Sequence, residues 1–565
     1  MKKLLKLLKN NFLFPWQKMF SIAFVIIVIL YSYWGIWNIF FQQEEWLGLG
    51  GTLYRQETSG TLGSIEQVFN FQSKNETTRF LPVASILNYF VYGNIGLNFA
   101  AYGILALILV TVCALVINLI IQKLTSSWLL SSLVSAFWVT NNLAYQGFTW
   151  IGTLVPTLTS ALFFILGLYL LLLFNEKRKN LYIILSFLSV LISLLSKEYS
   201  YFYVFPYIAI ILFFFGKGFG ILGKLRLILL FLIPLSISLF LPRAIYLLYG
   251  QSNSTPSVGV ASLTDIIYNI FLLPAKSLFH VFLPSSQIHQ YVYSISRTVF
   301  ENQTDGFVLH RIVGDAFSLL VAFYILLFIA LVLAISSKEN KKLILFSLFS
   351  FFASFAPFVL FKHAGAILEN RFYILPAIFS SLLTVSVIYS LFSKLGVFSR
   401  VLLVLTFIPL LLFNIQGVKK MLTIDVGVGT YRREMLNTVS EIKPNLAKDN
   451  IFYFFTGHTG FWEFQSGFGQ TLAVWLYDTE KIPREVLTDK DYWDLSYEGV
   501  KSFDKGKYGY FMTYDTLLQA SKDNPLIDLA NIHSFYWDYQ KHTVKDVSEE
   551  IREKLSEDLK GKTGL

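Results

Sequence analysis

Four charged turns break otherwise apolar sequence, and their side chains could do chemistry. In FFQQEEWLGLGG, residues 40–51, Glu44 and Glu45 follow a run from Phe20 to Phe41 that carries no charge. Three glycines follow at 48, 50 and 51, where the backbone could turn sharply or approach a ligand closely. In SKEYSYFYVFP, residues 196–206, Lys197 and Glu198 separate two apolar runs. Ionisable groups at membrane depth are costly and default to functional hypotheses. In LENRFYILP, residues 368–376, Arg371 offers a planar fork suited to phosphate, with Lys362 and His363 just upstream. In TTRFLPVASILNYFVYGNIGLNFAAYG, residues 77–103, Arg79 precedes a surface-lying amphipathic segment and a Gly/Asn turn. Each has a plain alternative. The acids fit a solvated helix end, Lys197 and Glu198 satisfy each other, Arg371 fits a snorkelling arginine, and Arg79 fits a headgroup anchor.

The elements that must position these turns are membrane helices. The 565 residues are 55% hydrophobic and 15% charged, where soluble domains carry about 25% charged residues. A spanning helix needs about 20 apolar residues. The candidates are 19–41, 97–121, 127–141, 153–174, 181–196, 200–216, 227–249, 315–336, 343–361, 372–392 and 400–417, with 127–141 short enough to be re-entrant. Segment 266–283 contains Pro274 and Lys276 and is placed at the interface. The basic N-terminus leads into a run too long for a signal peptide and without a small-residue cleavage site, so it reads as a retained first helix.

Eleven spans put the N-terminus inside and the C-terminus outside. The lysines and arginines of the resulting cytoplasmic segments, from Lys2 through Lys177–Lys179 to Arg400, face only Glu176 and Glu339, as the positive-inside rule requires. Trp34, Trp37 and Trp46 suit an interfacial belt. The fold class expected is an α-helical polytopic membrane protein of about eleven transmembrane helices, residues 1–417, with a small extracytoplasmic α/β domain, 418–565. In the latter, IFYFF (451–455), LAVWLY (472–477) and YGYFMTY (508–514) read as strands and the tail VSEEIREKLSEDLK as helix.

Several classes are excluded or weakened. The formal charge of +10 is scattered over short loops with no basic face, which argues against a nucleic-acid partner. One cysteine, Cys113, rules out an intramolecular disulfide framework and a cysteine-ligated zinc site. His280, His289 and His310 lack metal-ligand spacing. There is no phosphate-cradling P-loop and no nucleophile elbow.

Taken in order, these features resemble the GT-C superfamily of membrane glycosyltransferases, in particular the dolichyl- or polyprenyl-phosphate-mannose protein mannosyltransferases and the tetratricopeptide-linked O-mannosyltransferases. QQEEW occupies the place of their acidic pair, RFLPVASILNYFVYGNIGLNFAAYG that of their RP-led amphipathic segment, LLSKEYSYFYVFP that of their SKE turn, and ENRFYILP that of their R-Y-x-Y-L-P segment. The resemblance covers roughly residues 20–395. It departs where Glu replaces the usual first Asp and where Phe80 replaces the proline of RP.

The resemblance implies an inverting transfer of a sugar from a polyprenyl phosphate to an acceptor hydroxyl outside the membrane. Glu44, or else Glu45, would take the hydroxyl proton. Lys197 and Arg371 would stabilise the leaving phosphate, with Glu198, Arg79 and His363 as further substrate-binding candidates. Glu44 and Glu198 are the candidate ligands if a divalent Mg²⁺ or Mn²⁺ takes part; metal dependence stays open. Partners are a polyprenyl-phosphate-linked sugar, membrane lipids, and a lipid, glycan or protein acceptor. The competing class is a transporter or flippase of lipid-linked glycans. Such proteins favour midplane sites and repeat symmetry, neither of which is visible here.

Overall fold

The computed structural model describes residues 13–69, 81–197, 200, 204–249, 262–282, 306–359, 370–393, 398–443, 446, 449–456, 468–476, 483–487, 489, 498–504, 506–524, 526–538 and 540–560. They form two compact units. The first comprises Met1–Ile36, Val68–Leu87 and Gly103–Leu422; the second comprises Trp37–Gln67, Asn88–Tyr102 and Thr423–Leu565.

Helices follow from long runs of Leu, Ile, Phe and Val broken only at turns. In chain order they are α1 (Leu13–Ser32), α2 (Gln43–Phe69), α3 (Pro82–Ile95), α4 (Phe99–Thr125), α5 (Trp128–Val139), α6 (Tyr145–Thr149), α7 (Ile151–Lys177) and α8 (Asn180–Ser196). There follow α9 (Val204–Phe214), α10 (Gly220–Tyr249), α11 (Leu263–Phe282), α12 (Gly306–Ile335), α13 (Lys338–Ala353), α14 (Ala356–Val359), α15 (Ile374–Phe392) and α16 (Phe398–Ile442). Among the described residues eight helical stretches are long and apolar enough to cross a membrane. Their outward faces carry Phe240, Phe323, Leu331 and Leu405, each more than 60% exposed, which a hydrocarbon solvent accommodates and water does not. The chain is an integral membrane protein.

Of the expected spans, 127–141, 181–196 and 200–216 are the shorter helices α5, α8 and α9, with 12, 17 and 11 residues. At 1.5 Å per residue none covers a hydrocarbon core of about 30 Å unaided. Helix α5 is instead packed between α1 and α15, with every residue from Leu130 to Val139 buried. Within this unit polar side chains bond backward or across: Ser186 Oγ donates to Gly167 O (2.7 Å), Ser135 Oγ to Ala114 O (3.1 Å) and Asn142 Nδ2 to Asn414 Oδ1 (2.9 Å).

One expectation is corrected in the second unit. LAVWLY is not a strand but lies in helix α17 (Phe468–Trp475). Leu472, Ala473 and Val474 are consecutively buried, and a short apolar run of this kind does not distinguish strand from helix.

The sheet has five strands: β1 (Asn450–Thr456), β2 (Gly499–Phe503), β3 (Gly506–Phe511), β4 (Ile532–Asp538) and β5 (Thr543–Asp546). Their order is β2-β3-β1-β4-β5. The inner pairs β1–β3 and β1–β4 are parallel and the two edges antiparallel. Helices α18 (Tyr514–Asp523) and α19 (Ser548–Lys560) close one face over Ile451, Tyr453, Phe511, Leu517, Ile551 and Leu555.

Candidate active site

The acidic pair sits at the start of a helix in the second unit. Helix α1 stops at Ser32, and Gly35 then takes a positive φ of 99°. After a 3₁₀ turn at Ile36–Asn38, α2 begins at Gln43. Gln42 is therefore the N-cap and Glu45 the third helical residue. The Glu45 carboxylate accepts from the Gln42 backbone N–H, and Glu45 N–H donates to Gln42 O (3.1 Å). This is the acidic half of a capping box, which satisfies an N–H that the helix itself cannot. Glu45 is fully buried. The backbone of Glu44 is helical, while its side chain lies outside the described residues.

Trp46, expected at an interfacial belt, is instead core. It is 1% exposed and its ring meets Phe40 (5.5 Å), Phe41 (5.2 Å) and Trp475 (6.1 Å). The glycines after it make no turn; they lie inside α2. A methyl group at Gly48 would lie 3.0 Å from Tyr92 Cε2, and one at Gly50 3.2 Å from Val474 Cγ2. Gly48 and Gly50 serve close packing of α2 on α3 and α17. Arg484 pairs with Glu57 and ties α2 to a further turn at Arg484–Leu487. Two turns after Gly48, Arg55 donates Nε to Gly51 O (3.0 Å), and burial holds its guanidinium below the usual arginine value.

Sequence reasoning missed Arg433. A Cβ at Gly429 would fall 2.7 Å from Phe40 Cβ, so glycine lets Phe40 reach the α16 backbone. Arg433, one turn on, then covers Phe40 and Phe99 with its guanidinium 5.4 and 5.1 Å from the ring centroids. The available signal was the Gly429/Arg433 spacing of four on one helix face.

The cationic turns belong to the first unit. Lys197 follows α8 in extended conformation (φ −156°, ψ 131°) and is half-buried. Buried hydroxyls fix the backbone around it. Ser200 N–H donates to Lys197 O (3.1 Å), Ser200 Oγ lies 2.6 Å from Ser160 Oγ, and Ser193 Oγ donates to Ser160 O (2.8 Å). Arg371 lies in a 3₁₀ turn, Asn370–Tyr373, directly before α15. That turn packs on α6, and Trp138 Nε1 donates to Ile374 O (2.9 Å) just beyond it. The Arg371 side chain, Glu198, Arg79 and His363 lie outside the described residues.

Helix α9 starts shortly after the Lys197 turn, and α13 and α14 precede the Arg371 turn. Between α9 and α13–α14 runs an apolar groove of about 550 Å³, lined by Phe205, Phe213, Leu345, Phe349, Phe352 and Ala356 among others. Among the described residues no group of three His, Cys, Asp or Glu is placed to hold a metal ion; the side chains of both candidate ligands, Glu44 and Glu198, fall outside that set.

No family model and no curated protein matches the chain. Among solved structures it is similar to ArnT from Cupriavidus metallidurans bound to undecaprenyl phosphate. Identity is 13% and the TM-score 0.34, over 80% of this chain and 84% of that one.

Proposed function

We propose that the protein is an inverting glycosyltransferase that takes a sugar from a polyprenyl phosphate and joins it to an acceptor hydroxyl on the outer face. The observation that carries this reading is the groove between α9 and α13–α14. Its Phe205 wall begins just after Lys197, and its Ala356 wall leads along the chain toward Arg371. A site of that kind suits an amphiphile with an apolar chain and an anionic head, the chemistry of a prenyl phosphate. In this reading the N-terminus is cytoplasmic and the region after residue 417 is an outer domain.

The two acids then divide their roles. Glu45 is committed to the Gln42 N–H, so Glu44 is the base that takes the acceptor proton while the acceptor oxygen attacks the anomeric carbon. The sugar–phosphate bond breaks and its electron pair leaves with the phosphate, whose charge Lys197 and Arg371 stabilise.

The test uses membranes supplied with a labelled polyprenyl-phosphate sugar. Glu44→Gln should lower transfer by about 10²–10⁴-fold, the usual contribution of a general base. Glu45→Gln should keep most activity and lose stability. Wild-type transfer by inserted, folded Glu44→Gln protein would sink the assignment.

A further inference from the structure

An ionised side chain in a membrane helix needs a partner, and Asp315 of the first unit has one. Asp315 lies two residues into the apolar stretch Val313–Ile335 of α12. Its carboxylate is 7% exposed and meets Lys276 Nζ at 2.9 Å. Tyr268 donates its hydroxyl to the other carboxylate oxygen. Lys276 and Tyr268 are eight residues apart on α11, so both fall on one face of that helix. Lys276, assigned from sequence to an interfacial segment, is thus accounted for by a partner 39 residues away.

The same helix also holds α14. Asn269, fully buried and next to Tyr268, donates Nδ2 to Val359 O (3.1 Å), the last residue of α14. Helix α11 also packs on α15. Tyr373, the last residue of the Arg371 turn, is 2% exposed and meets Phe355 edge-on at 5.9 Å. The described helices on either side of Arg371, α14 and α15, are therefore both packed on α11.

We infer that Asp315, Lys276 and Tyr268 form a clamp that positions the Arg371 turn for an anionic headgroup. What the clamp serves rests on the proposed donor site; the clamp itself does not. Lys276 neutralises Asp315, and the pair fixes the depth of α11 against α12, which sets where Asn269 holds α14. Removing either charge leaves the other buried without its counter-ion, the costly case for an ion pair. These are positioning residues that act through Arg371.

Two readouts on the full-length protein in detergent separate the clamp from its use. The first is the rate of trypsin cleavage after Arg371. Asp315→Asn and Lys276→Met should raise it at least tenfold over wild type, while Lys276→Arg keeps the slow rate and cleavage after Lys501 in the sheet unit is unchanged. The second is the KM for a polyprenyl-phosphate sugar, which should rise roughly tenfold in the same two variants with kcat and acceptor KM nearly constant. Unchanged cleavage at Arg371, equal acceleration at Lys501, or failure of Lys276→Arg to rescue would overturn the clamp. Faster cleavage with an unaltered donor KM would leave the clamp standing and remove the donor phosphate from the Arg371 turn.

Discussion

The two units treat charge differently, and the difference decides how a charged residue should be read. In the first unit, the ion pair Lys276–Asp315 is shielded among helices, while Lys123–Glu176 lies at helix ends. Arg178 lies 3.6 Å over the Phe219 ring and Lys419 3.9 Å over that of Tyr31. Water is scarce in hydrocarbon, so each charge kept there needs a reason. The sheet of the second unit carries ordinary pairs such as Lys443–Asp546 and Lys501–Asp489, which water largely screens. A charged turn between apolar helices, such as the one at Lys197, is thus far more informative than a lysine on β2. Glu45 is the exception that sharpens the rule: it belongs to the second unit, is fully buried, and its position is explained by a backbone N–H.

The largest effect expected from this contrast falls in the sheet. His533 on β4 is 8% exposed, lies against Phe452 at 5.7 Å, and neither ring nitrogen has a hydrogen-bond partner among the described residues. Burial, then the charges of Lys443 and Arg552 against the weaker opposite pull of Asp546, push its pKa down from 6.5 to about 4. The unfolded chain therefore takes up a proton near pH 6.5 that the folded sheet refuses until about pH 4. Stability is at its full value above pH 6.5 and falls by up to about 3 kcal/mol as pH drops through that window. Thermal unfolding followed from pH 7.5 to 4.5 should show the fall, and His533→Asn should flatten it. A flat wild-type profile would contradict a buried neutral imidazole.

Next in size is the cationic turn. Arg371→Ala should lower kcat/KM for a polyprenyl-phosphate donor by about 10- to 100-fold, the loss of one charge-assisted hydrogen bond at roughly 1.5–3 kcal/mol. Acceptor binding should change little. A larger loss on the acceptor side would move Arg371 from the donor to the acceptor.

Packing comes third. Gly48→Ala places a methyl group 3.0 Å from the Tyr92 ring, and overpacking of a filled core costs about 1–3 kcal/mol. Gly51→Ala, where a Cβ has nothing within 4 Å, is the control, because Ala is favoured over Gly in a helix. Melting temperatures should separate the two. If both variants melt together, the glycines are not packing residues.

These contrasts also show which parts of the molecule a sequence exposes. Apolar stretches of 20 residues declare themselves by composition alone, so α4, α7, α12 and α15 were legible. Helix α2 was not. It is rich in glycine and polar residues, and what holds it are aromatic partners distant in the chain, Phe99 and Trp475 among them. Strand β4, IHSFYWD, went unseen because it is covered on both faces, with five of its seven residues buried, and so lacks the alternation of a half-exposed strand. The charged turns were legible because charge is rare there. The pairing of Lys276 with Asp315 was not, since nothing local links two ionisable groups on separate helices.

The smallest expected effect tests the contrast from the opposite side. Lys501 on β2 meets Asp489 at 2.6 Å, with side chains 39% and 20% exposed. At that exposure Coulomb attraction is weakened by water and offset by the entropy of fixing a long side chain, leaving roughly 0–1 kcal/mol. Lys501→Ala should shift the melting temperature by no more than a degree or two and leave donor and acceptor kinetics unchanged. Lys276→Met removes one charge from a pair of nearly equal length, 2.9 Å, whose carboxylate is only 7% exposed, and there the loss should be several-fold larger. The two bonds are of similar length; Lys501 reaches both oxygens of Asp489 and Asp315 also accepts from Tyr268, and burial is the larger difference between the pairs. Equal costs for both substitutions would mean that water reaches Asp315 as freely as it reaches Asp489, and the Lys276–Asp315 pair would then carry no more meaning than any lysine on the sheet.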